Sequence, residues 1–156
     1  ARYAHGFGMT VYASGRRPIT DPECDHPLAT AEELYKVSDV LSIHLPSTDQ
    51  TRGMVGRSLL SLLPKGAIVV NTARKEVINE AELMAVLEER PDLKYATDVK
   101  PDNYDALREK FGNRVFATPK KMGAETAEAN INAGLAAARQ IVGFFATGDT
   151  TFQVNK

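Results

Sequence analysis

Short runs of apolar, often β-branched residues alternate along this chain with stretches of helical periodicity. The consecutive apolar residues Ile68, Val69 and Val70 favour a strand that is covered on both faces. Such strands, separated by helices, are typical of βαβ units, so the sequence predicts an α/β fold with a doubly wound parallel sheet. The candidate strands are 10–13, 40–45, 67–72, 95–99 and 115–118.

Start signals precede the helical stretches. Thr30 and Glu33 have the spacing of a capping box, and Asn79 and Glu82 repeat it. The longest helix is expected over about 124–146, where Ala is abundant and apolar residues recur at heptad-like spacing. Further helices are expected at 1–5, 59–63 and 104–111.

Composition excludes several classes of protein. The 156 residues include 19 Lys and Arg against 20 Asp and Glu, a net charge of −1, which argues against a nucleic-acid or membrane-surface partner. No apolar run approaches the roughly 18 residues of a membrane span. Cys24 is the only cysteine, which excludes an intrachain disulfide and a cysteine-based zinc cluster. We expect a reducing cytoplasmic compartment and no metal site.

Polar residues follow the candidate strands. Doubly wound sheets bind ligands at the carboxyl ends of their strands, and Arg, Lys, His and Asp are concentrated there. The sequence therefore predicts a ligand site built from these segments, which are 14–17, 44–51, 72–76, 98–103 and 118–123.

Four motifs in these segments carry a family resemblance. They are Ser-Asp-Val-Leu-Ser-Ile-His-Leu-Pro at 38–46, Lys-Gly-Ala-Ile-Val-Val-Asn-Thr-Ala-Arg at 65–74, Asp98-Val99 and Thr118-Pro119. In this order the chain resembles the D-2-hydroxyacid dehydrogenases over nearly its whole length. The resemblance implies a Rossmann-like NAD-binding domain over 1–146 and a tail at 147–156 that leads towards a substrate domain. It also implies NAD as cofactor, a phosphorylated 2-hydroxy acid as substrate, and a homodimer.

The resemblance also implies site residues. Arg74 matches the arginine that binds the substrate carboxylate, a role that suits a planar, bidentate donor. Asp98 matches the acid that accepts a hydrogen bond from the nicotinamide carboxamide. The other matching positions line the cofactor: His44, Pro46, Thr51, Thr72, Ala73 and Gly123.

Two departures from the family pattern concern catalysis. Lys120 and Lys121 stand where the family has its catalytic histidine, and Asn103 stands where it has the partner glutamate. The lysine pKa, ordinarily about 10.4, is already high for a proton donor, and a carboxylate beside it would raise that pKa further. A neutral Asn103 therefore suits a site in which one of the two lysines exchanges the proton. The alternative is that both lysines are solvated and that Asn103 or Asp102 caps a helix.

Two further departures concern the nucleotide. The Gly-rich phosphate loop and the first strand of the family are absent and are expected upstream, so we expect this chain to belong to a longer protein. Gly15 occupies the position of the acid that binds the adenosine ribose, and Arg16 and Arg17 follow it. These arginines predict measurable use of NADP beside NAD, although a solvated turn is the alternative.

Two other functional classes stay open on the sequence alone. The loss of the histidine and glutamate also fits a non-catalytic, dinucleotide-sensing module of the corepressor type. A Rossmann domain of another dehydrogenase family is a third reading, which the ordered motifs disfavour. Turnover of a 2-hydroxy acid in the presence of NAD discriminates between these readings.

Overall fold

A computed structural model describes residues 1–119 and 126–154. Two compact units, 1–120 and 121–156, divide the chain. Three residues of the predicted site, Lys120, Lys121 and Gly123, lie outside the described residues.

The first unit alternates strands and helices as predicted. Its strands are β1 (Tyr12–Ser14), β2 (His26–Leu28), β3 (Val40–Ile43), β4 (Ile68–Asn71), β5 (Lys94–Thr97) and β6 (Val115–Ala117). Its helices are α1 (Arg2–Gly6), α2 (Ala31–Val37), α3 (Arg57–Leu60), α4 (Glu80–Glu89) and α5 (Tyr104–Phe111), with short 3₁₀ turns at Lys75–Val77 and Gly112–Arg114.

Every strand ladder in the described part of the chain is parallel. β3, β4, β5 and β6 form one sheet in that order, while β1 pairs with β2 in a second sheet. The α/β, Rossmann-like fold class predicted from the sequence is confirmed. β2 was missed because His26-Pro27-Leu28 presents no apolar run from which a strand could be inferred.

The core lies on one side of the four-stranded sheet. Val69 of β4 is fully buried together with Leu83, Val86 and Leu87 of α4, whereas Ile68 and Val70 on the opposite face are half-buried. The sequence predicted that β4 is covered on both faces. Among the described residues, only the face that carries Val69 is fully covered. Each fully buried Leu or Val contributes about 1.5–3 kcal/mol, so this single layer of helices is the main source of stability.

The two predicted capping boxes have different outcomes. At α2, Thr30 Oγ1 accepts from the N–H of Glu33 and the Glu33 carboxylate accepts from the N–H of Thr30, both at 3.1 Å, so the box is complete. At α4, Asn79 accepts from the N–H of Glu82, but the Glu82 carboxylate accepts from the N–H of Arg57 at 2.6 Å. A tertiary contact therefore replaces the second half of the local motif.

The second unit contains one long helix, α6 (Ala127–Thr147). Thr126 begins it by accepting from the N–H of Ala129, and Gly148 ends it in the left-handed conformation at φ 69°. Apolar side chains remain exposed along it, among them Ile131, Leu135, Val142 and Phe145. Among the described residues, neither this helix nor any other is long and apolar enough to cross a membrane.

An ion pair connects the turn before β4 with the turn before β5. Arg90 donates to the carbonyl oxygens of Leu63 and Pro64, at 3.1 and 2.9 Å, and pairs with Asp92 at 2.7 Å. Asp92 also accepts from the N–H of Gly66 at 2.7 Å. The Arg90 guanidinium and this N–H hold the pKa of Asp92 well below its usual range.

We expect Asp92→Asn to lower the free energy of unfolding at pH 7 by about 1–2 kcal/mol, because it removes charge-assisted hydrogen bonds. The folded-state pKa of Asp92 is depressed, so its contribution is complete above about pH 5 and is lost as the pH falls towards the lowered pKa. Urea denaturation between pH 3 and 7 measures this difference. The matched control is Asp105→Asn, which removes an exposed ion pair to Lys100 and a charge in the first turn of α5, and should lower stability much less than Asp92→Asn does. A deficit that is equal at pH 3 and pH 7 would contradict the assignment.

Candidate active site at the carboxyl ends of the strands

The carboxyl ends of three neighbouring strands are level with one another. Ile43, Asn71 and Thr97 are the last residues of β3, β4 and β5, and the ladders pair Ile43 with Asn71 and Asn71 with Thr97. The segments that follow therefore leave the sheet at one edge, where parallel sheets bind ligands.

The buried carboxamide of Asn71 fixes the turn that follows β4. Its Oδ1 accepts from the N–H of Ala73 and its Nδ2 donates to the carbonyl oxygen of Arg74, both at 3.0 Å. The hydroxyl of Thr97 donates to the carbonyl oxygen of Asn71 at 2.7 Å, which joins the ends of β4 and β5. Asn71 is completely buried, so its polar atoms depend on these partners. Asn71 was not among the predicted site residues, although a polar amide at the end of an apolar strand was a signal for it.

Arg74 leaves this turn with its guanidinium exposed. Its Nη1 donates to the carbonyl oxygen of Ala73 at 2.8 Å, and no carboxylate of the described residues pairs with it. The neighbouring Glu76 carboxylate therefore forms no ion pair with Arg74. A fork of N–H donors without a protein anion can bind a carboxylate bidentately.

A cavity of about 330 Å³ lies beside Arg74. It is lined by His44, Leu45, Pro46, Ala73 and Arg74, so it brings together four of the predicted site residues. His44 Nε2 lies 2.8 Å from Ser42 Oγ, a contact that orients the imidazole ring.

Thr51 and Thr72 do not line this cavity. Thr51 Oγ1 donates to the carbonyl oxygen of Pro46 at 2.5 Å and accepts from the N–H of Thr48 at 2.9 Å. This threonine therefore shapes the loop that carries Pro46. Thr72 is exposed in the turn fixed by Asn71.

Two predicted residues after β5 carry buried oxygen atoms without a partner among the described residues. They are Oδ1 of Asp98 and Oδ1 of Asn103. The backbone around them is held, because the N–H of Asp98 donates to the carbonyl oxygen of Asn71 at 3.3 Å. A buried acceptor without a donor is costly, so both oxygens are suited to a ligand that brings N–H or O–H groups.

The start of α5 is held by groups other than its own cap residue. Asn103 occupies the N-cap position of α5, as the alternative interpretation expected, but its side chain forms no hydrogen bond with the helix. Instead, the backbone N–H groups of Asp102 and Asn103 donate to Glu80, a residue that the sequence analysis also missed. The Asp102 carboxylate lies 2.6 Å from Lys75 Nζ and raises the pKa of that lysine.

The residues predicted for the adenosine end follow β1 in the two-stranded sheet. Gly15 and Arg16 are exposed, as is Arg17, and neither arginine forms an ion pair with the described residues. A Cβ at Gly15 would lie 3.3 Å from Ile19 Cδ1, so the turn is tight at this position. Within residues 1–119 and 126–154, no three His, Cys, Asp or Glu side chains cluster as metal ligands would.

The family of this fold and site is defined by comparison with known proteins. Residues 1–122 match the family described as "D-isomer specific 2-hydroxyacid dehydrogenase, NAD binding domain". The chain belongs to this family of NAD-dependent oxidoreductases and contains the family's NAD-binding domain.

The relatives of the chain are named after different substrates. The chain is 34% identical over 149 residues to a glyoxylate reductase of Aeropyrum pernix, a match that covers 92% of this chain and 44% of the relative. It is 31% identical to a D-3-phosphoglycerate dehydrogenase of Haemophilus influenzae, covering 97% of this chain and 38% of that protein. A crystal structure of NAD⁺-bound 3-phosphoglycerate dehydrogenase from Entamoeba histolytica is 44% identical, with a TM-score of 0.83, and covers 99% of this chain and 50% of that one. The chain thus spans half or less of the length of these relatives.

We expect Asn71→Ala to lower the free energy of unfolding by about 2–3 kcal/mol, because the N–H of Ala73 and the carbonyl of Arg74 lose their buried partners. Urea denaturation with a matched control, Gln50→Ala at an exposed amide, measures the difference. A variant as stable as the control would show that the Asn71 bridge does not fix the turn.

Proposed function

We propose that this chain is the NAD-binding domain of a D-3-phosphoglycerate dehydrogenase, which oxidises 3-phosphoglycerate to 3-phosphohydroxypyruvate in serine biosynthesis. The observation that carries the proposal is Arg74, which lines a cavity and forms no ion pair with the described residues, while the buried Asn71 amide holds its backbone carbonyl. The 44% identity to the Entamoeba histolytica protein supports the choice of substrate. In this proposal residues 1–146 form the domain, and 147–156 lead towards a substrate domain.

The polar atoms at the strand ends fit a nicotinamide cofactor. A carboxamide brings two N–H donors, and the buried Asp98 Oδ1 is an acceptor without a partner among the described residues. The cavity walls formed by Leu45, Pro46 and Ala73 offer apolar contact to a flat ring. We therefore assign His44, Pro46, Thr51, Thr72, Ala73, Asp98 and Gly123 to the cofactor.

Each protein group then has one task in the reaction. Arg74 binds the substrate carboxylate and so fixes the carbon that bears the hydroxyl group. Lys120 or Lys121, as a neutral amine, accepts the proton of that hydroxyl as it becomes a carbonyl. The hydride that leaves the same carbon goes to the nicotinamide of NAD⁺, which is the chemistry that the cofactor supplies when bound.

Asn103 supports a lysine in this role. Its side chain does not cap α5, and its Oδ1 is buried without a partner in the described part of the chain. The carboxamide carries no charge, so it does not raise the pKa of a nearby lysine as a glutamate would. We therefore keep Asn103 in the catalytic site with Arg74 and the two lysines.

Two alternatives within the family have support of their own. The 34% identity to a glyoxylate reductase favours a reductase of small 2-oxo acids such as glyoxylate or hydroxypyruvate. The replacement of the catalytic histidine and glutamate favours a dinucleotide-sensing module without turnover. The first alternative differs from our proposal in the substrate, the second in the absence of any reaction.

The proposal extends to assembly. β1 and β3 each have one edge without a paired strand among the described residues, and a dinucleotide fold places its first strand between two such edges. We propose that a strand with a Gly-rich turn completes the domain there. The exposed apolar side chains of α6 favour a homodimer, and the single free Cys24 suits a cytoplasmic enzyme.

Progress curves on the full-length protein test the proposed function. We expect NADH to form with 3-phosphoglycerate and NAD⁺, and we expect glycerate, which lacks the phosphate, to react with a far lower kcat/KM. Preference for glyoxylate or hydroxypyruvate with NADH would establish the reductase instead. Binding of NAD without turnover of any of these acids would establish the sensing module.

We expect one of the variants Lys120→Met and Lys121→Met to lose about 10²-fold or more in kcat, the usual scale of general acid–base catalysis. Asn103→Glu should shift the pH optimum upward, because a carboxylate raises the lysine pKa. Lys65→Met, at an exposed lysine away from the site, is the matched control and should retain kcat. Wild-type kcat in both lysine variants would overturn the assignment.

We expect the full-length enzyme to use NADP as well as NAD, because Arg16 and Arg17, which form no ion pair with the described residues, offer two guanidinium groups to a 2′-phosphate. The double variant Arg16→Ala/Arg17→Ala should raise the KM for NADP by about 10-fold and leave the KM for NAD within a factor of two. NAD is the internal control in this comparison. If NADP is inert at saturating concentration in the wild type, the arginines form only a solvated turn.

A further inference from the structure

One carboxylate joins the starts of two helices. Glu80 is the first residue of α4, and its Oε1 accepts from the N–H of Asp102 at 3.0 Å. Its Oε2 accepts from the N–H of Asn103 at 3.2 Å, immediately before α5. The negative charge thus lies at the N-terminal ends of α4 and α5, where the helix dipoles favour an anion.

This arrangement leaves the Asn103 side chain uncommitted. An asparagine at a helix start ordinarily accepts a hydrogen bond from the first turn of its own helix, and Asn103 does not. Its Oδ1 is buried without a partner among the described residues, although the N–H of the same residue is held by Glu80. Glu80 therefore anchors the backbone, and the carboxamide is not needed to hold the loop.

A second tether runs in parallel and is weaker. Lys75 Nζ lies 2.6 Å from the Asp102 carboxylate, but the two side chains are 37% and 79% exposed, and such surface ion pairs contribute little. The two hydrogen bonds to Glu80 are charge-assisted and fix backbone atoms directly. Both tethers join segment 74–80, which begins with Arg74, to loop 98–103.

We propose that Glu80 is a positioning residue for the nicotinamide half of the cofactor site. It holds loop 98–103 against segment 74–80. In this way it sets the positions of Asp98 Oδ1 and Asn103 Oδ1 relative to Arg74. Glu80 itself touches no ligand. This inference rests on the proposed function, because the proposed function assigns Asp98 to the carboxamide.

The test compares two ligands on the full-length protein. NADH carries the nicotinamide, whereas ADP-ribose lacks it and retains the adenosine and pyrophosphate. Glu80→Gln keeps the size of the side chain but leaves one acceptor oxygen for two N–H donors and turns an NH₂ group against one of them. Glu80→Ala removes both bonds without that conflict. Glu88→Gln, on the same helix with the same change of charge, is the matched control, since among the described residues Glu88 pairs with the exposed Lys110 and with no backbone N–H of the 98–103 loop.

We expect both Glu80 variants to bind NADH about 10-fold more weakly, the scale of one lost charge-assisted hydrogen bond, and to bind ADP-ribose within a factor of two of the wild type. Equal weakening of both ligands, or unchanged NADH binding, would overturn the inference while the proposed function stands. If the wild type binds neither ligand, the proposed function fails and the inference fails with it. Circular dichroism of each variant establishes that it is folded, and Glu80→Ala decides the question if Glu80→Gln is not.

Discussion

The rest of the site depends on the buried carboxamide of Asn71. A fully buried amide must find partners inside the protein, and here they are the N–H of Ala73 and the carbonyl of Arg74. The backbone after β4 can take only a shape that supplies both groups. That shape gives Arg74 its place at the edge of the sheet, and the Thr97 hydroxyl extends the same connection to the end of β5.

The ends of three strands bring the polar residues of the candidate site together. The level ends of β3, β4 and β5 bring the His44–Pro46 loop, the Arg74 turn and the Asp98 loop to one edge. Stability comes from the helices packed on one face of the sheet. At its edge, Arg74 forms no ion pair and the buried Asp98 Oδ1 no hydrogen bond with the described residues. Arg74 offers donors and Asp98 offers an acceptor, the complementary pair that a carboxylate and a carboxamide require.

The parts of the fold that the sequence could predict are those decided by neighbours in the chain. The capping box at Thr30 and Glu33 forms because both partners lie within one turn. The same spacing at Asn79 and Glu82 was only half informative. One oxygen of the Glu82 carboxylate accepts from the N–H of Arg57, far away in sequence, and the other from the Asn79 side chain, so neither accepts from the N–H of Asn79. The β2 strand could not be predicted, because it is a strand through its pairing with β1 and not through its composition.

In the candidate site, too, residues marked by local sequence could be predicted, and residues defined by distant contacts could not. Arg74, His44 and Pro46 could be predicted, because each directly follows a recognisable strand within a familiar motif. Asn71 and Glu80 could not, because their partners are backbone atoms whose positions depend on the folded chain. Asn71 lies within the motif at 65–74, but the motif does not indicate that its amide bonds the backbone of Ala73 and Arg74.

The most direct test of the central claim is a hydrogen-exchange footprint of the full-length protein with and without NADH. The claim is that the segments after β3, β4 and β5, the second of which Asn71 fixes, bind the nicotinamide half of the dinucleotide. We expect NADH to slow amide exchange in peptides covering 44–51, 72–76 and 98–103 and to leave the outer face of α4 unchanged. Slowing confined to other parts of the chain, with these three segments unaffected at saturating NADH, would contradict the claim.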